Sequence, residues 1–258
     1  MERENMVKSV SRALDIIHLI SSNKDGLGVT EIANQIDINK SSVYRILSTL
    51  AQYGYIEQEE EKGRYKLGYK FLEISTNLLD SIDLRSEARP YLLELEEETN
   101  EVIHLVVFDQ DEVVYIEKLE GNETLRMHSK VGKRAPVHCT SVGKAILAHL
   151  PTSVVLDIME RSGMPAHTDK TITDKEAFLR ELIEVKKRGY ALDLEENEFG
   201  IICIAAPIFN HLGKVTAAVS VSGPTIRMTD NRIEQLKACM IETGKNISTR
   251  LGNVSGIN

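Results

Sequence analysis

Two neighbouring stretches of the chain, residues 30–36 and 40–50, have the apolar spacing of short amphipathic helices. The apolar positions are Ile32, Ala33 and Ile36 in the first stretch and Val43, Ile46, Leu47 and Leu50 in the second. The second set follows the i, i+3, i+4, i+7 spacing of a stripe that faces a core. Thr30 is the expected N-terminal cap of the first helix. The pattern predicts two short helices joined by a turn at Asp37–Asn39.

The exposed side of the second helix carries hydrogen-bonding and basic side chains. Its members are Lys40, Ser41, Ser42, Tyr44, Arg45, Ser48 and Thr49. No Asp or Glu occurs from Asn39 to Ile56, in a chain that is otherwise acidic. Because a carboxylate would repel DNA phosphates, an acid-free helix face favours DNA contact. An ordinary solvated helix face is the alternative, although such faces usually carry Glu and Lys pairs.

We therefore predict a DNA-binding surface centred on the second helix. Its predicted members are Thr30, Lys40, Ser41, Ser42, Tyr44 and Arg45, joined by Arg64 and Lys66. Arg45 is the candidate for reading bases and Lys40 the candidate for positioning a phosphate.

The flanking segments extend these two helices to a winged helix-turn-helix over residues 6–68. Upstream, the helical stripe of residues 7–21 is formed by Val10, Ala13, Leu14, Ile17 and Ile20. Downstream, residues 55–58 and 64–67 read as two strands of a hairpin. Its tip holds the acidic run Glu59–Glu61, so we expect Arg64 and Lys66 on the returning strand, and not the tip, to meet DNA.

A linker helix is predicted over residues 69–84. Phe71, Ile74, Leu78 and Ile82 recur at helical spacing. A helix that only bridged solvent would not need this apolar surface, so Phe71, Leu78 and Ile82 are expected near a dimer interface. A further helix is predicted over residues 84–98.

The remainder, residues 85–252, reads as an α+β domain with a mainly antiparallel sheet. The predicted strands are 102–108, 112–119, 126–131, 201–209 and 215–222. The predicted helices are 141–150, 174–188 and 229–250. Hairpin signals at residues 109–111 and 210–213 favour antiparallel pairing.

Composition narrows the class of protein. The chain has 258 residues, 42% of them hydrophobic and 27% charged, and a net charge of −8. Residues 1–70 hold ten basic and ten acidic side chains, so the whole excess of acid lies beyond them. DNA contact is therefore expected to be local and to need two copies of the chain.

The number and spacing of the cysteines, together with the lengths of the apolar runs, indicate the cellular compartment to expect. Three cysteines, Cys139, Cys203 and Cys239, are too few and too scattered for a disulfide framework or a zinc finger. No signal peptide is evident, and no apolar run approaches the roughly 18 residues that span a bilayer. We expect a reduced, cytoplasmic protein without membrane contact.

Two strands of the second domain alternate in a way that indicates a ligand site. Residues 215–222 place Thr216, Ala218, Ser220 and Ser222 on one face and valines with Ala217 on the other. Residues 201–208 place Ile201, Cys203 and Ala205 on one face. A buried hydroxyl without a partner costs on the order of 1–3 kcal/mol, so the small polar face favours a polar ligand. The alternative is a helix packed tightly on small residues.

Enzyme chemistry and metal binding are weaker readings of the same domain. Cys203 lies in the middle of an apolar run, where a thiol ionises with difficulty. No pair of histidines has metal-ligand spacing on one helix, although His104, His128 or His138 could approach Cys203 in the fold. We therefore expect no catalytic residue, no metal and no cofactor.

Taken in order along the chain, several segments resemble the IclR family of bacterial transcriptional regulators. In the first domain they are Ser9–Ile16, Lys40–Arg45 and Gly63–Gly68, followed by Asp83–Arg85. In the second they are Pro136–Ala145, Arg188–Ala191, Gly200–Pro207 and Val219–Pro224. The resemblance implies a winged-helix DNA-binding domain, a dimerising linker helix and a GAF-like effector-binding domain, in a homodimer or homotetramer that represses or activates.

The resemblance also implies where an effector would bind. Family contacts match Asp193, Cys203, Ser220 and Ser222, the helix start at Ser141, Val142 and Gly143, and apolar wall positions at Met127, Ala135 and Ile201. Free N–H groups at a helix start attract anions, and Thr140 is the expected cap of that helix. A small carboxylate or hydroxy acid is therefore the expected effector, with Asp193 accepting hydrogen bonds from its hydroxyls.

Two finer readings stay open. Residues 125–129 resemble the pectin-degradation, KdgR-like branch of the family, which favours a sugar acid and a carbon-catabolism operon. The alternative function is a small-molecule sensor or Cys-dependent enzyme whose helix-turn-helix serves only for protein interaction.

Overall fold

The structure is a computed structural model of the chain. It describes residues 6–59, 62–74, 83–121 and 129–253. It divides into two compact units, Met1–Ile82 and Asp83–Asn258. The division falls near residue 84, where the predicted linker helix ends.

The described part of unit 1 contains three helices, a two-stranded antiparallel sheet and a helical segment at residues 70–74. Its elements are α1 (Lys8–Ser21), α2 (Val29–Gln35), α3 (Lys40–Gln52), β1 (Ile56–Gln58) and β2 (Tyr65–Leu67). The core contains Ile32, Val43 and Leu47, all fully buried. An isolated bridge between Leu27 and Tyr65 joins the hairpin to the turn before α2. The predicted winged helix-turn-helix is confirmed.

Two details of the helical prediction are wrong. On α1 the buried residues are Ile16 and Ile20, whereas Val10 and Leu14 are 56% and 51% exposed. The helix has apolar residues on two faces, and spacing alone does not show which face meets the core. Thr30 is not a cap, because α2 begins at Val29 and the Gly28 N–H donates to Glu31 Oε2 over 2.7 Å.

Little of the predicted linker helix lies within the described residues. Residues 70–74 are helical, and the Phe71 ring packs edge-on against Tyr55 with ring centroids 5.3 Å apart. Leu78 and Ile82, expected near a dimer interface, lie outside the described residues.

Unit 2 combines a six-stranded sheet with five helices in its described part. The strands are β3 (Val102–Asp109), β4 (Glu112–Leu119), β5 (Arg134–Pro136), β6 (Ala191–Leu194), β7 (Ile201–Phe209) and β8 (Val215–Pro224). The helices are α4 (Leu84–Thr99), α5 (Ser141–Leu147), α6 (Thr152–Ser162), α7 (Lys175–Arg188) and α8 (Asp230–Arg250).

The strand order is β5-β4-β3-β8-β7-β6, and every pair is antiparallel. The antiparallel prediction is therefore confirmed. The prediction missed β5, β6 and α6, and its strand over 126–131 finds no support in the described residues 129–131, which form no strand. β5 has only three residues, too few for alternation to reveal.

The two faces of the sheet contact different helices. Ala205 and Ala218 share a core cluster with Val142 and Ala145 of α5. The opposite face meets α8, where a Cβ added at Gly244 would lie 3.0 Å from Ala206 Cβ. Successive side chains of a strand point to opposite faces, so the alternation along β7 and β8 separates an α5 side from an α8 side. The predicted alternation is wrong at the start of β8, because a register shift leaves Thr216 without a pairing partner and Val215 packs against the α5-side cluster.

Candidate DNA interface and effector site

The start of α3 is held by its capping residue. The Asn39 side chain accepts hydrogen bonds from Ser42 N and Ser41 Oγ, both over 2.8 Å. A cap of this kind satisfies an amide that the helix itself leaves free. The cap thus fixes where α3 begins and how the helix is oriented as it follows the turn after α2.

The polar face of α3 is open to solvent as predicted from spacing. Tyr44 is 59% exposed, and Lys40, Ser41 and Arg45 are exposed beside it, while Ser42 is half-buried. Within the part of the chain that the structure describes, neither Lys40 nor Arg45 forms an ion pair. Both cations are therefore available to a polyanion.

A groove of about 660 Å³ runs between α1 and α3. Ser9 and Arg12 of α1 line it together with Ser42, Tyr44 and Arg45 of α3. The sequence reading assigned no DNA contact to α1. Val10, which the apolar spacing assigned to the core together with Ile20, is exposed and lines this groove, whereas Ile20 is buried.

The two wing cations already have partners. Arg64 donates to the Gly26 carbonyl through Nε at 3.1 Å and Nη2 at 2.9 Å, and its Nη2 lies 2.9 Å from Glu31 Oε2. Lys66 Nζ lies 3.5 Å from Glu59 Oε1. Arg64 therefore ties the wing to the turn before α2, and a DNA contact by its side chain would require breaking these bonds. Thr30 is exposed in the first turn of α2.

In unit 2, strand register brings the predicted polar residues together. Asp193 pairs with Cys203 across β6 and β7, and Cys203 pairs with Ser222 across β7 and β8. Ser220 lies two residues before Ser222 and faces His104 across β8 and β3. Cross-strand partners project to the same side of a sheet. All five residues therefore share the α5 side.

His104 is the functional candidate that the sequence reading left without a role in the site. Its Nε2 lies 2.8 Å from Ser129 Oγ, and its Nδ1 lies 3.5 Å and 3.4 Å from the hydroxyls of Ser220 and Ser222. Burial, with a contribution from the nearby Lys118 charge, lowers the pKa of His104 to about 3. The imidazole is therefore neutral and offers one donor and one acceptor. Only the β3–β8 register reveals it.

Asp193 is a buried carboxyl group held by backbone amides. It is 3% exposed, and its Oδ1 accepts from Glu196 N over 2.7 Å and from Asn197 N over 3.3 Å. Burial raises the pKa of Asp193 to about 7, and the Glu196 carboxylate adds to the rise while Lys144 opposes it. Near neutral pH this carboxyl group therefore exchanges between its acid and its anion.

A buried ion pair supports the Asp193 turn. Lys144 is 1% exposed and its Nζ contacts the Glu196 carboxylate, with Glu181 Oε1 at 3.9 Å. Burial raises the pKa of Glu196, although Lys144 opposes that rise. The sequence does not reveal this pair, because an isolated lysine in a helix gives no sign of a partner 52 residues away.

The start of α5 is capped as predicted. Gly143 N donates to Thr140 Oγ1 over 3.2 Å. A Cβ added at Gly143 would lie 2.3 Å from the Val137 carbonyl oxygen, so only glycine permits this close approach. Of the three amides predicted to attract an anion, the one of Gly143 is thus already bonded, which leaves those of Ser141 and Val142.

The predicted apolar wall positions have different surroundings. Ala135 lies in the core cluster on the α5 side, together with Val142 of the predicted helix start. Ile201 is half-buried at the start of β7, opposite Pro224 of β8. Met127 lies outside the described residues.

The cysteines are poorly suited to nucleophilic chemistry. Burial raises the pKa of Cys203 well above its ordinary value, and it raises that of Cys139 to about 12. A thiolate is the reactive species, so both groups are inert as nucleophiles near neutral pH. One juxtaposition was not expected from the sequence: His138, Cys139 and His167 come together, with ligand atoms within 4.8 Å of one another.

Among the helices that the structure describes, none has the length and hydropathy needed to cross a bilayer.

Two family models match most of the chain. Residues 9–60 match the IclR helix-turn-helix domain, and residues 76–249 match the bacterial transcriptional regulator IclR C-terminal domain. The matches cover the three helices of unit 1 and nearly all of unit 2.

Curated relatives of similar length match over almost the whole chain. The HTH-type transcriptional regulator XynR of Escherichia coli K12 is 36% identical over 247 residues, 96% of this chain and 98% of the relative. The regulator KdgR of the same organism is 36% identical over 251 residues, 97% of this chain and 95% of the relative. The E. coli transcriptional repressor IclR is 31% identical, over 96% of this chain and 91% of the relative.

Solved structures of regulators have the same fold. An IclR structure from Thermotoga maritima is 33% identical, with a TM-score of 0.64 over 95% of this chain and 99% of that one. The Agrobacterium tumefaciens repressor BlcR gives a TM-score of 0.86 at 23% identity, over 98% of this chain and 100% of that one, a likeness of fold alone.

Proposed function

This chain belongs to the IclR family of DNA-binding transcriptional regulators, and we propose that a small hydroxylated carboxylic acid bound in unit 2 controls its hold on operator DNA. It is a regulator and not an enzyme. This excludes the alternative in which a Cys-dependent enzyme uses its helix-turn-helix only for protein interaction.

The buried polar row on the α5 side of the sheet is the observation that carries the effector proposal. Asp193, Cys203 and Ser222 lie side by side on β6, β7 and β8, and Ser220 and His104 continue the row. A protein core has no need of so many hydrogen-bonding groups, because each must find a partner to avoid a cost on the order of 1–3 kcal/mol. Within the fold Asp193 is held by two amides, whereas the hydroxyls of Ser220 and Ser222 reach His104 Nδ1 only at 3.5 and 3.4 Å. A polar ligand can offer these two hydroxyls shorter hydrogen bonds.

The groups in the row select a hydroxylated acid over other ligands. Ser220 and Ser222 donate hydrogen bonds to a carboxylate, as do the free amides of Ser141 and Val142. Asp193 accepts from a ligand hydroxyl, and the proton that its raised pKa retains reduces repulsion of an anion. Ile201 and Cys203 limit the size of the ligand. A sugar acid from a carbon-catabolism pathway meets these requirements.

DNA binding is assigned to the exposed face of α3. Arg45 reads base edges and Lys40 positions a phosphate, with Ser41, Ser42 and Tyr44 between them and Thr30 on α2. Lys66 contributes after leaving Glu59, whereas Arg64 keeps its structural bonds to Gly26 and Glu31. Base contacts supply specificity, and phosphate contacts supply affinity and register.

The functional unit is proposed to be a homodimer or a homotetramer. A net charge of −8 gives one chain little general affinity for a polyanion, so two recognition helices are needed. A two-fold dimer reads half-sites separated by about one helical turn of DNA or a multiple of it. The apolar helix that includes Phe71 supplies contact surface. Light scattering that finds a monomer with full operator affinity would contradict this assignment.

The proposal is tested by fluorescence anisotropy with DNA from upstream of the chain's own gene and with scrambled DNA of equal length. We expect a salt-sensitive complex that prefers the upstream DNA, and a change of affinity with some hydroxy acids from a panel that includes plain acids, amines and apolar compounds. The same acids should raise the melting temperature as their concentration rises.

Variants localise the response. Ser220→Ala with Ser222→Ala should abolish the thermal shift and the effect on DNA affinity, and Asp193→Asn should change which acids act. Thr216→Ala, which removes a half-buried hydroxyl of the same strand outside the polar row, is the control. The effector site is misassigned if only cations or apolar compounds act, or if the double variant responds as wild type. A wild-type protein that does not prefer the upstream DNA over the scrambled DNA would instead refute the α3 assignment.

A further inference from the structure

Three potential metal ligands meet outside the proposed effector row. His138, Cys139 and His167 each offer one ligand atom, and these atoms all lie within 4.8 Å of one another. His138 and Cys139 precede α5, and His167 lies in the segment between α6 and α7. Two parts of the chain separated by a whole helix thus supply one cluster.

Hydrogen bonds hold the segment that carries His167. His138 Nε2 lies 3.0 Å from the Pro165 carbonyl oxygen, and His167 N donates to Thr171 Oγ1 over 3.0 Å. Thr171 Oγ1 in turn donates to the Glu196 carbonyl oxygen over 2.6 Å. The segment is therefore fixed on both sides of His167, and the three ligands meet with little loss of backbone entropy on binding an ion.

The contact with Pro165 also determines which nitrogen of His138 is free. A carbonyl oxygen only accepts hydrogen bonds, so Nε2 carries the proton and Nδ1 carries the lone pair. A ring nitrogen that donates to a carbonyl while the other nitrogen binds metal is the usual arrangement around metal-ligating histidines. In this tautomer Nδ1 of His138 is the nitrogen that can bind a metal.

Charge and access suit a cation. The neighbouring turn carries two buried carboxyl groups, Asp193 and Glu196, and Glu196 Oε2 has no hydrogen-bond partner among the described residues. Lys144 offsets part of this negative charge through Glu196 Oε1. His138 and Cys139 are buried while His167 is exposed, which gives an ion a route from solvent to an otherwise enclosed site.

We propose that His138, Cys139 and His167 bind one divalent cation of the zinc class per chain, with the fourth coordination position open to solvent. Two imidazoles and one thiolate form a ligand set that zinc accepts in tetrahedral geometry. Zinc–nitrogen distances of about 2.0–2.1 Å and a zinc–sulfur distance of about 2.3 Å place tetrahedral ligands about 3.5 Å apart. The exposed His167 side chain moves inward by about 1 Å to reach that spacing.

Binding exchanges a proton for the metal. The Cys139 thiol gives its proton to the buffer, and the sulfur forms the bond to the cation. The Cys139 thiol lies 3.6 Å from Asn197 Oδ1 without metal, and this weak hydrogen bond is lost on binding. The ion would then fasten the segment between α6 and α7 to the start of α5. The proposal does not depend on the identity of an effector.

The test uses the metal-free full-length protein and cobalt(II) as a spectroscopic probe, followed by displacement with zinc(II). We expect one equivalent of cobalt per chain, a thiolate-to-cobalt charge-transfer band and the intense visible bands of tetrahedral cobalt. Zinc should abolish the spectrum and raise the melting temperature of unit 2. The absence of a charge-transfer band at one equivalent would overturn the proposal.

Variants identify the ligands. Cys139→Ser should remove the charge-transfer band, and His167→Gln should weaken cobalt binding by about tenfold or more. Cys239→Ser and His211→Gln, which alter a cysteine and a histidine outside the cluster, should bind as wild type. Because Cys139 is fully buried, circular dichroism checks its variant for folding, and the exposed His167 decides the matter if that variant unfolds. Wild-type affinity in His167→Gln would overturn the proposal.

Discussion

The ammonium group of Lys144 on α5 contacts the carboxylate of Glu196 in the turn after β6, and both side chains are buried. The same turn supplies the amides that hold Asp193. A charge that is buried without its partner is far more costly than the pair itself. The pair therefore fixes the relation between α5 and the end of β6, where the proposed effector row begins.

Lys144→Met is expected to lower the free energy of unfolding by roughly 3–5 kcal/mol, because Glu196 is left buried without a counter-charge. Urea denaturation followed by circular dichroism measures the loss. Combining Lys144→Met with Glu196→Leu should restore much of the stability, since no lone charge then remains. A single variant as stable as wild type would show that the pair is dispensable.

Asp193→Asn is expected to remove part of the pH dependence of stability. Folding raises the pKa of Asp193 from 3.8 to about 7, so the folded chain binds the proton more tightly. The resulting stabilisation is fully present below the unfolded pKa and is lost as the pH rises to about 7. From pH 5 to pH 8 the free energy of unfolding should fall by about 3 kcal/mol more in wild type than in Asp193→Asn.

Urea titrations of both proteins at several pH values give this difference. Glu196 and Lys144, whose charges act on the same carboxyl group, are unchanged between the two proteins, so the comparison reports on Asp193. Parallel stability curves for the two proteins would refute the assignment.

Arg45→Ala and Lys40→Ala are expected to have different effects on DNA binding. Loss of a base contact should reduce discrimination between operator and random DNA by about 1–3 kcal/mol. Loss of a phosphate contact should weaken both complexes alike and reduce the slope of log affinity against log salt by about 0.9. Anisotropy titrations over a salt series separate the two outcomes, with Lys24→Ala as the control on an exposed turn. Unchanged selectivity in Arg45→Ala would exclude it as the base reader.

Arg64→Ala is expected to destabilise unit 1 without changing the salt slope, because its guanidinium binds Gly26 and Glu31 inside the protein. A half-buried charged hydrogen bond of this kind contributes on the order of 1–3 kcal/mol. Lys66→Ala should leave stability nearly unchanged and lower the salt slope. Denaturation and anisotropy measured on both variants distinguish the roles, and the opposite pattern would make Arg64 the DNA contact.

Much of the fold follows from spacing alone. The stripe of Val43 and Leu47 predicts α3, and clean alternation predicts β7 and β8, because each pattern extends over several turns or residue pairs. Short elements such as β5 are not predicted, since three residues are too few to show an alternating pattern. The buried face of α1 was assigned wrongly because both Val10 and Ile16 fit an apolar stripe, and only packing decides between them.

The chemistry of the candidate site was less accessible. Small polar residues on alternate positions of β8 are visible in the sequence, whereas His104 joins them only through the pairing of β3 with β8. The cluster of His138 and His167 depends on a loop that returns after α6, and the partner of Lys144 lies far along the chain. Local patterns carry no information about such non-local contacts.

The alternation along β8 has an evolutionary consequence. From residue 217 onward, Ala218, Ser220 and Ser222 face α5, whereas Ala217, Val219 and Val221 face the other side of the sheet. A duplicated copy of the gene can therefore drift at Ser220 and Ser222 and acquire a new inducer while the odd positions keep the domain folded. A one-residue deletion within the strand would instead exchange the two sets. The valines would then face the proposed effector site, and the serines would face the apolar core on the other side of the sheet.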